Sequence, residues 1–227
     1  MSSNDSSLVN PPGYYESNFD EPLDSASNYA NKERPSLSDS KVDPASIPTT
    51  TFTFLPAEPN AMVLVPPANA ADPRPVYHIS WSEDFFMPGN VVTQVRRGGS
   101  HNGPLVGEFN LKMFSPAATV RVGSSPERWL EEVYPIRTPG RYTKWHYSTD
   151  NKGSPVLYWF RFLNFKTCLL GSPRGEQIAK YTWPNYARRD RSLQVATLTL
   201  NSVGQIPEIF DELVLSALIS ERNRTRP

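Results

Sequence analysis

One cysteine, three histidines and no long apolar run set the first limits on this chain. A single sulfur, Cys168, excludes an intramolecular disulfide and a cysteine-based zinc site, both of which need several sulfur ligands, and it fits a reducing compartment. His78, His101 and His146 are isolated from the spacings that place metal ligands on one face of a strand or helix. No stretch approaches the roughly 20 apolar residues of a membrane-spanning helix, and "MSSNDSSLVN" lacks the basic start and apolar run of a secretory signal. The expectation is a soluble, intracellular, cytoplasmic protein with no metal and no cofactor, able to sit peripherally at a membrane. No charge of either sign dominates, since the formal net charge is +0. The balance hides an asymmetry: residues 1–50 hold 8 acidic and 3 basic side chains, so a mildly acidic tail precedes a mildly basic body. That body lacks the clustered basicity of a dedicated nucleic-acid binder, and no nucleic-acid partner is expected.

Catalytic signatures are missing too. The glycines of "RRGGSHNGPLVG" have neither a following Lys-Ser/Thr pair nor a strand-to-helix context, so they read as a hairpin turn. Cys168 lies in the apolar run "KTCLL", where burial would raise its pKa and blunt its nucleophilicity. No serine occupies a hydrolase elbow. The primary reading is no enzyme and no catalytic residues. An enzyme whose groups converge from distant strands stays open as an alternative.

What is present divides at about residue 50. Residues 1–50 are rich in Ser, Asn, Asp and Pro, with apolar residues arriving singly, and this predicts a disordered tail. Beyond it, β-branched and aromatic runs recur between Pro, Gly, Asn and Asp, predicting twelve strands: 51–55, 62–65, 76–81, 91–97, 105–113, 118–122, 128–134, 142–147, 156–162, 166–170, 177–183 and 193–200. The end differs. "QIPEIFDELVLSALISERNR" predicts a helix over about 207–222, with Pro207 in the first turn, Glu208, Asp211 and Glu212 at the positive end of its dipole, and Arg222 and Arg224 at the negative end. Ile209, Phe210, Leu213, Val214, Leu215, Ala217, Leu218 and Ile219 cover nearly the whole helical circumference, with Ser216 as the polar break among them. A helix apolar all round must be surrounded, here by protein. The fold expected for 51–227 is therefore mainly β, a closed antiparallel barrel of about twelve strands around a central hydrophobic C-terminal α-helix. A two-sheet sandwich with the helix on one face is the alternative. Trp81, Trp129, Trp145, Trp159 and Trp183 fall one to a strand and read as filling between wall and helix rather than as stacking platforms.

The stretches "RPVYHISWSEDFFMPGNVVTQVRRG", "LVGEFN", "RYTKWHY", "IAKYTW" and "IFDELVLSALISERNR" together resemble the fungal domain of unknown function family 6593. That family in turn is similar to the tubby C-terminal, phospholipid scramblase and LURP-one group. The resemblance runs from about Thr51 to Arg226 and implies a β-barrel around a central helix, with no agreed activity. Some members of the wider group bind phosphoinositides or act at membranes, which directs attention to the basic positions. Arg96 and Arg97 close a strand, Arg137, Arg141 and Lys144 lie close in sequence, and Arg188, Arg189 and Arg191 form the densest cluster. Clustered arginines hold phosphate through paired hydrogen bonds, whereas the plain alternative is a solvated rim. Calcium motifs of the scramblase type and a following transmembrane helix are not visible, so lipid transport is not expected.

In the tail, Pro11, Pro12 and Tyr14 within "PPGY" fit the Pro-Pro-x-Tyr pattern read by WW domains. Adjacent prolines preset the extended conformation, their rings enter an aromatic groove, and the tyrosine fills a neighbouring site. WW-bearing ubiquitin ligases and adaptors are the matching partners. The functional expectation is an interaction or adaptor module with a WW-binding tail; the alternative is an anionic-lipid-binding protein using Arg188, Arg189, Arg191, Arg96 and Arg97.

Overall fold

The computed structural model describes residues 48–83, 89–112, 118–135, 142–147, 155–184 and 195–224. These lie in the unit Asp43–Pro227. In chain order the elements are β1 (Thr50–Glu58), β2 (Ala61–Val65), β3 (Tyr77–Glu83), β4 (Asn90–Arg97), β5 (Leu105–Lys112), β6 (Thr119–Val122), β7 (Arg128–Trp129), α1 (Leu130–Val133), β8 (Tyr142–Trp145), β9 (Leu157–Arg161), β10 (Phe165–Leu170), β11 (Gln177–Thr182), β12 (Thr197–Leu200) and α2 (Pro207–Arg224). The twelve strands form one antiparallel sheet in the order β7-β6-β5-β4-β3-β2-β1-β12-β11-β10-β9-β8. Consecutive strands are paired neighbours except β7 and β8, which are linked through α1 and lie at opposite edges, and β1 pairs with β12 at the centre of the sheet.

Alternation explains which face turns inward. Phe52 and Phe54 on β1, Tyr77 and Ile79 on β3, Leu157 and Trp159 on β9, and Leu198 and Leu200 on β12 are buried, with less buried residues between them. Into this face sits α2. Every residue from Glu212 to Ser220 is buried, and Leu213, Val214, Leu215, Ala217 and Ile219 have no exposed surface. Neighbours come from strands across the sheet. The Phe210 ring meets Phe52 at a tilt and Tyr77 edge to face, at centroid distances of 4.9 and 5.0 Å, Leu215 meets Gly107, and the indoles of Trp145 and Trp159 hydrogen-bond to Glu212 and Ser216. A Cβ on Gly107 would lie 2.6 Å from the Arg121 carbonyl oxygen and 2.7 Å from Leu215 Cδ1, so glycine is what lets the helix approach β5.

The connection into α2 is pinned by Asn201. Its side-chain oxygen accepts from the Gly204 amide at 2.9 Å while its Nδ2 donates to Glu176 Oε1 at 2.6 Å and to the Gln177 carbonyl at 3.2 Å.

Two sequence expectations need correction. The strand expected over 128–134 holds for only two residues; at Leu130 the chain turns into the short helix α1. Among the described residues the sheet is also not closed by ladder hydrogen bonds, and β7 and β8 are its edges. Other bonds link residues beside those edges. The His146 amide donates to the Val133 carbonyl at 3.0 Å, Arg128 Nη1 donates to the Tyr147 carbonyl, and the Tyr147 hydroxyl donates to the Pro126 carbonyl. The tail of residues 1–47, including its expected disorder, lies outside the described residues.

Candidate functional site

The β9–β10 hairpin carries the most exposed apolar side chain of the described surface. Phe162 N–H donates to the Phe165 carbonyl at 2.9 Å, closing a loop whose apex is Leu163 and Asn164. Leu163 is 88% exposed and Phe162 49%. Strand parity extends this tip into a stripe. Since Leu157 and Trp159 face α2, Tyr158 and Phe160 face outward, and the register sets Tyr142 of β8 opposite Phe160. Tyr142 lies 5.5 Å from the ring of Tyr158 and 5.4 Å from that of Phe160, and Phe162 stacks on Phe165 at 4.7 Å.

Among the described residues of β8 to β11 the charge on this face has one sign. Lys144 is exposed on this face, half-buried Lys180 on β11 places its ammonium 4.4 Å from the Phe165 ring centroid, and Arg161, of the same strand parity as Trp159, is exposed at the end of β9. Strands β8 to β11 carry no Asp or Glu. An exposed aliphatic tip, amphipathic rings and a basic collar can together engage an apolar layer lying under anionic groups.

The basic residues singled out from sequence behave differently. Arg97 Nη2 donates to Asp211 Oδ2 at 2.6 Å, the Tyr77 hydroxyl donates to Asp211 Oδ1 at 2.7 Å, and the Arg97 guanidinium lies over the Tyr77 ring. This triad fastens the first turns of α2 to β3 and β4. Burial raises the pKa of Asp211 against the opposing pull of Tyr77 and Arg97, and burial beside that carboxylate raises the pKa of Tyr77. Arg96 points elsewhere, donating to the Gly103 carbonyl at 3.1 Å and to Gln94 Oε1 at 3.3 Å. The two arginines therefore share no patch. Arg137, Arg141, Arg188, Arg189 and Arg191, like Pro11, Pro12 and Tyr14, lie outside the described residues.

The interior holds one carboxyl against the helix's apolar surroundings. Glu212 accepts from the Trp145 indole, and burial pushes its pKa up to about 7, with Asp211 adding to the rise and the indole opposing it. One turn on, Ser216 Oγ accepts from Trp159 Nε1 at 3.0 Å and donates to the Glu212 carbonyl at 2.6 Å. Trp145, Trp159 and Trp183 are buried filling as expected from sequence, whereas Trp129 stands 53% exposed on β7.

Cys168 is fully buried, and burial pushes its thiol pKa well up. Among the described residues no group of three His, Cys, Asp or Glu side chains could hold a metal, and no helix is long and apolar enough to cross a membrane. The strands expected over 156–162 and 166–170 leave 163–165 as a plain turn, and the aromatics of "LYWFRF" read as barrel filling, so the tip does not stand out in the sequence. The available signal was Leu163 at a turn apex, where polar residues are usual.

No curated relative and no solved structure matches the chain. The model of a family of unknown function, DUF6593, matches residues 62–226, a span that takes in β2 to β12 and α2, and the chain belongs to that family.

Proposed function

We propose that this protein is a binding module that docks on anionic membrane surfaces through the β9–β10 hairpin and the outer face of β8 to β11. The observation that carries the reading is Leu163, 88% exposed at the hairpin apex and flanked by Phe162 and by cations without a nearby strand carboxylate. Burying two such side chains contributes about 2 kcal/mol each, and each basic residue near an anionic leaflet about 1 kcal/mol. The sum describes reversible, salt-sensitive attachment rather than insertion. A mainly β wall around a buried C-terminal helix also supports kinship with the tubby C-terminal and scramblase group, in which a closed barrel is the expected form.

The test is vesicle co-sedimentation. Full-length protein should bind phosphatidylserine-containing vesicles more than pure phosphatidylcholine vesicles, less at high salt, and Phe162→Ser with Leu163→Ser should abolish the difference. Equal sedimentation of the double variant, or no preference for anionic vesicles, would overturn the reading.

A second reading concerns partners and rests on "PPGY". We propose that Pro11, Pro12 and Tyr14 recruit a WW-domain protein, a ubiquitin ligase or adaptor, to the surface on which the β-domain docks. The two readings separate experimentally, since deletion of residues 1–47 removes the second and leaves vesicle binding intact.

A further inference from the structure

Among the described residues α2 buries three polar side chains, Glu212, Ser216 and Ser220, and they recur at every fourth position. That spacing lays them along one stripe of the helix. The stripe faces one side of the sheet. Glu212 accepts from the indole of Trp145 on β8, and Ser216 accepts from that of Trp159 on β9 at 3.0 Å. Ser220 and Thr143 act on the Tyr134 hydroxyl at the end of α1, opposing the rise that burial gives its pKa, yet Ser220 Oγ completes no hydrogen bond. The buried polar groups of α2 therefore all look toward β8, β9 and the end of α1, whereas β1 and β5 are met by Phe210 and Leu215.

β8 is also the strand of this side that leaves the sheet at least cost. Among the described residues it pairs with β9 alone, and an edge strand departs by breaking one ladder where a central strand breaks two. Its Trp145, fully buried, is the cover over Glu212. The groups that act on this carboxyl are Trp145, Asp211 one residue back on the helix, and Tyr147 just past β8. Arg128, which acts on Tyr147, is held by the Tyr147 carbonyl and by Glu132. A carboxylate answered by one indole gains more from water than from such surroundings. We propose that β8 is a proton-gated flap, closed on α2 while Glu212 is protonated and swung off the helix when Glu212 ionises, with the central strands still paired. Burial raises this carboxyl from 4.5 to about 7 in the closed form, so closure is fully stabilised below about pH 4.5 and weakens as pH climbs through about 7. Tyr142 and Lys144 point outward from the same strand, so opening withdraws them from Tyr158 and Phe160. That consequence for the surface rests on the docking reading, whereas the flap does not and is tested without vesicles.

The experiment is amide hydrogen exchange on the full-length protein, followed residue by residue by NMR between pH 5 and pH 8, for the parent, Glu212→Gln and Asp211→Asn. Dividing each rate by that of an unstructured chain at the same pH gives an opening constant. In the parent, amides of Thr143 to Trp145 should open about tenfold or more often than those of β1 and β12, which mark a flap that moves while the centre of the sheet holds. Their opening constant should rise by up to about tenfold per pH unit between pH 5 and pH 7 and then level off. Glu212→Gln should keep β8 at its low-pH value throughout, and Asp211→Asn should leave the rise in place. The parent series alone is decisive against the flap if β8 exchanges in step with β1 and β12, or if its opening constant is flat in pH. A rise that survives Glu212→Gln, or one that disappears with Asp211→Asn, would overturn the assignment to Glu212.

Discussion

Replacing Glu212 with Gln should make the protein more stable as pH rises past neutrality. Burial raises this carboxyl from an ordinary 4.5 to about 7 in the folded chain. The folded state therefore binds the proton more tightly than the unfolded chain does. Stability from this group is fully present below about pH 4.5 and is lost as pH climbs through about 7. The gap corresponds to about 3 kcal/mol. A glutamine amide oxygen still accepts from the Trp145 indole but carries no charge to desolvate. The difference in unfolding free energy, variant minus parent, should accordingly rise by about 3 kcal/mol between pH 4.5 and pH 8. Urea titrations at half-unit pH intervals measure it, with tryptophan fluorescence as the probe. Taking the difference removes most other titrations. Asp211, also raised by burial, acts in the same direction as Glu212, and His146, held down by burial, acts in the opposite one. Parallel pH profiles for the two proteins would refute the claim that Glu212 is enclosed by the sheet.

Other consequences follow from the same packing. Gly107→Ala places a methyl group against the Arg121 carbonyl and Leu215, and it should cost about 1–3 kcal/mol in urea unfolding. Leu213→Ala removes fully buried atoms on the helix and should cost about 2–5 kcal/mol by the same assay. Tyr77→Phe deletes one donor to Asp211 while Arg97 keeps the carboxylate paired, so the expected loss is about 1 kcal/mol, visible as a lower urea midpoint. A peptide of residues 8–20 should bind a WW domain and lose that binding on Tyr14→Ala, as read by fluorescence polarisation.

Most of the sheet was legible because inward and outward residues alternate between turn residues, as in "TFTF" and "YHISW", and that alternation survives whatever the strand pairs with. The central helix was legible for a different reason. The apolar side chains between Ile209 and Ile219 cover nearly the whole circumference and leave no broad solvent face, and Glu212 to Ser220 are indeed all buried. The same reading misplaced Glu212, which local rules assign to the helix dipole and which tertiary packing instead sets against Trp145.

The turn at Leu130 was in fact legible, since "RWLEEVY" does not alternate and sets the buried Leu130, Val133 and Tyr134 at helical spacing; bonds from His146 and Tyr147 then hold the segment in place. Sequence proximity was also a poor guide to the arginines. Arg96 and Arg97 are neighbours in the chain, but strand parity sends them to different partners. The hairpin tip needed knowledge of where two strands end, since a phenylalanine inside a strand and one at an apex look identical in sequence.

The central claim, that the β9–β10 apex enters the membrane interface, can be read from a single labelled position. Leu163→Cys carrying an environment-sensitive fluorophore should shift to the blue on phosphatidylserine-containing vesicles, with Cys168 silent because it is fully buried. The same label on Glu127→Cys, an exposed position beside β7, should not respond. A label at position 163 whose spectrum stays that of water while the protein co-sediments with the vesicles would contradict the account.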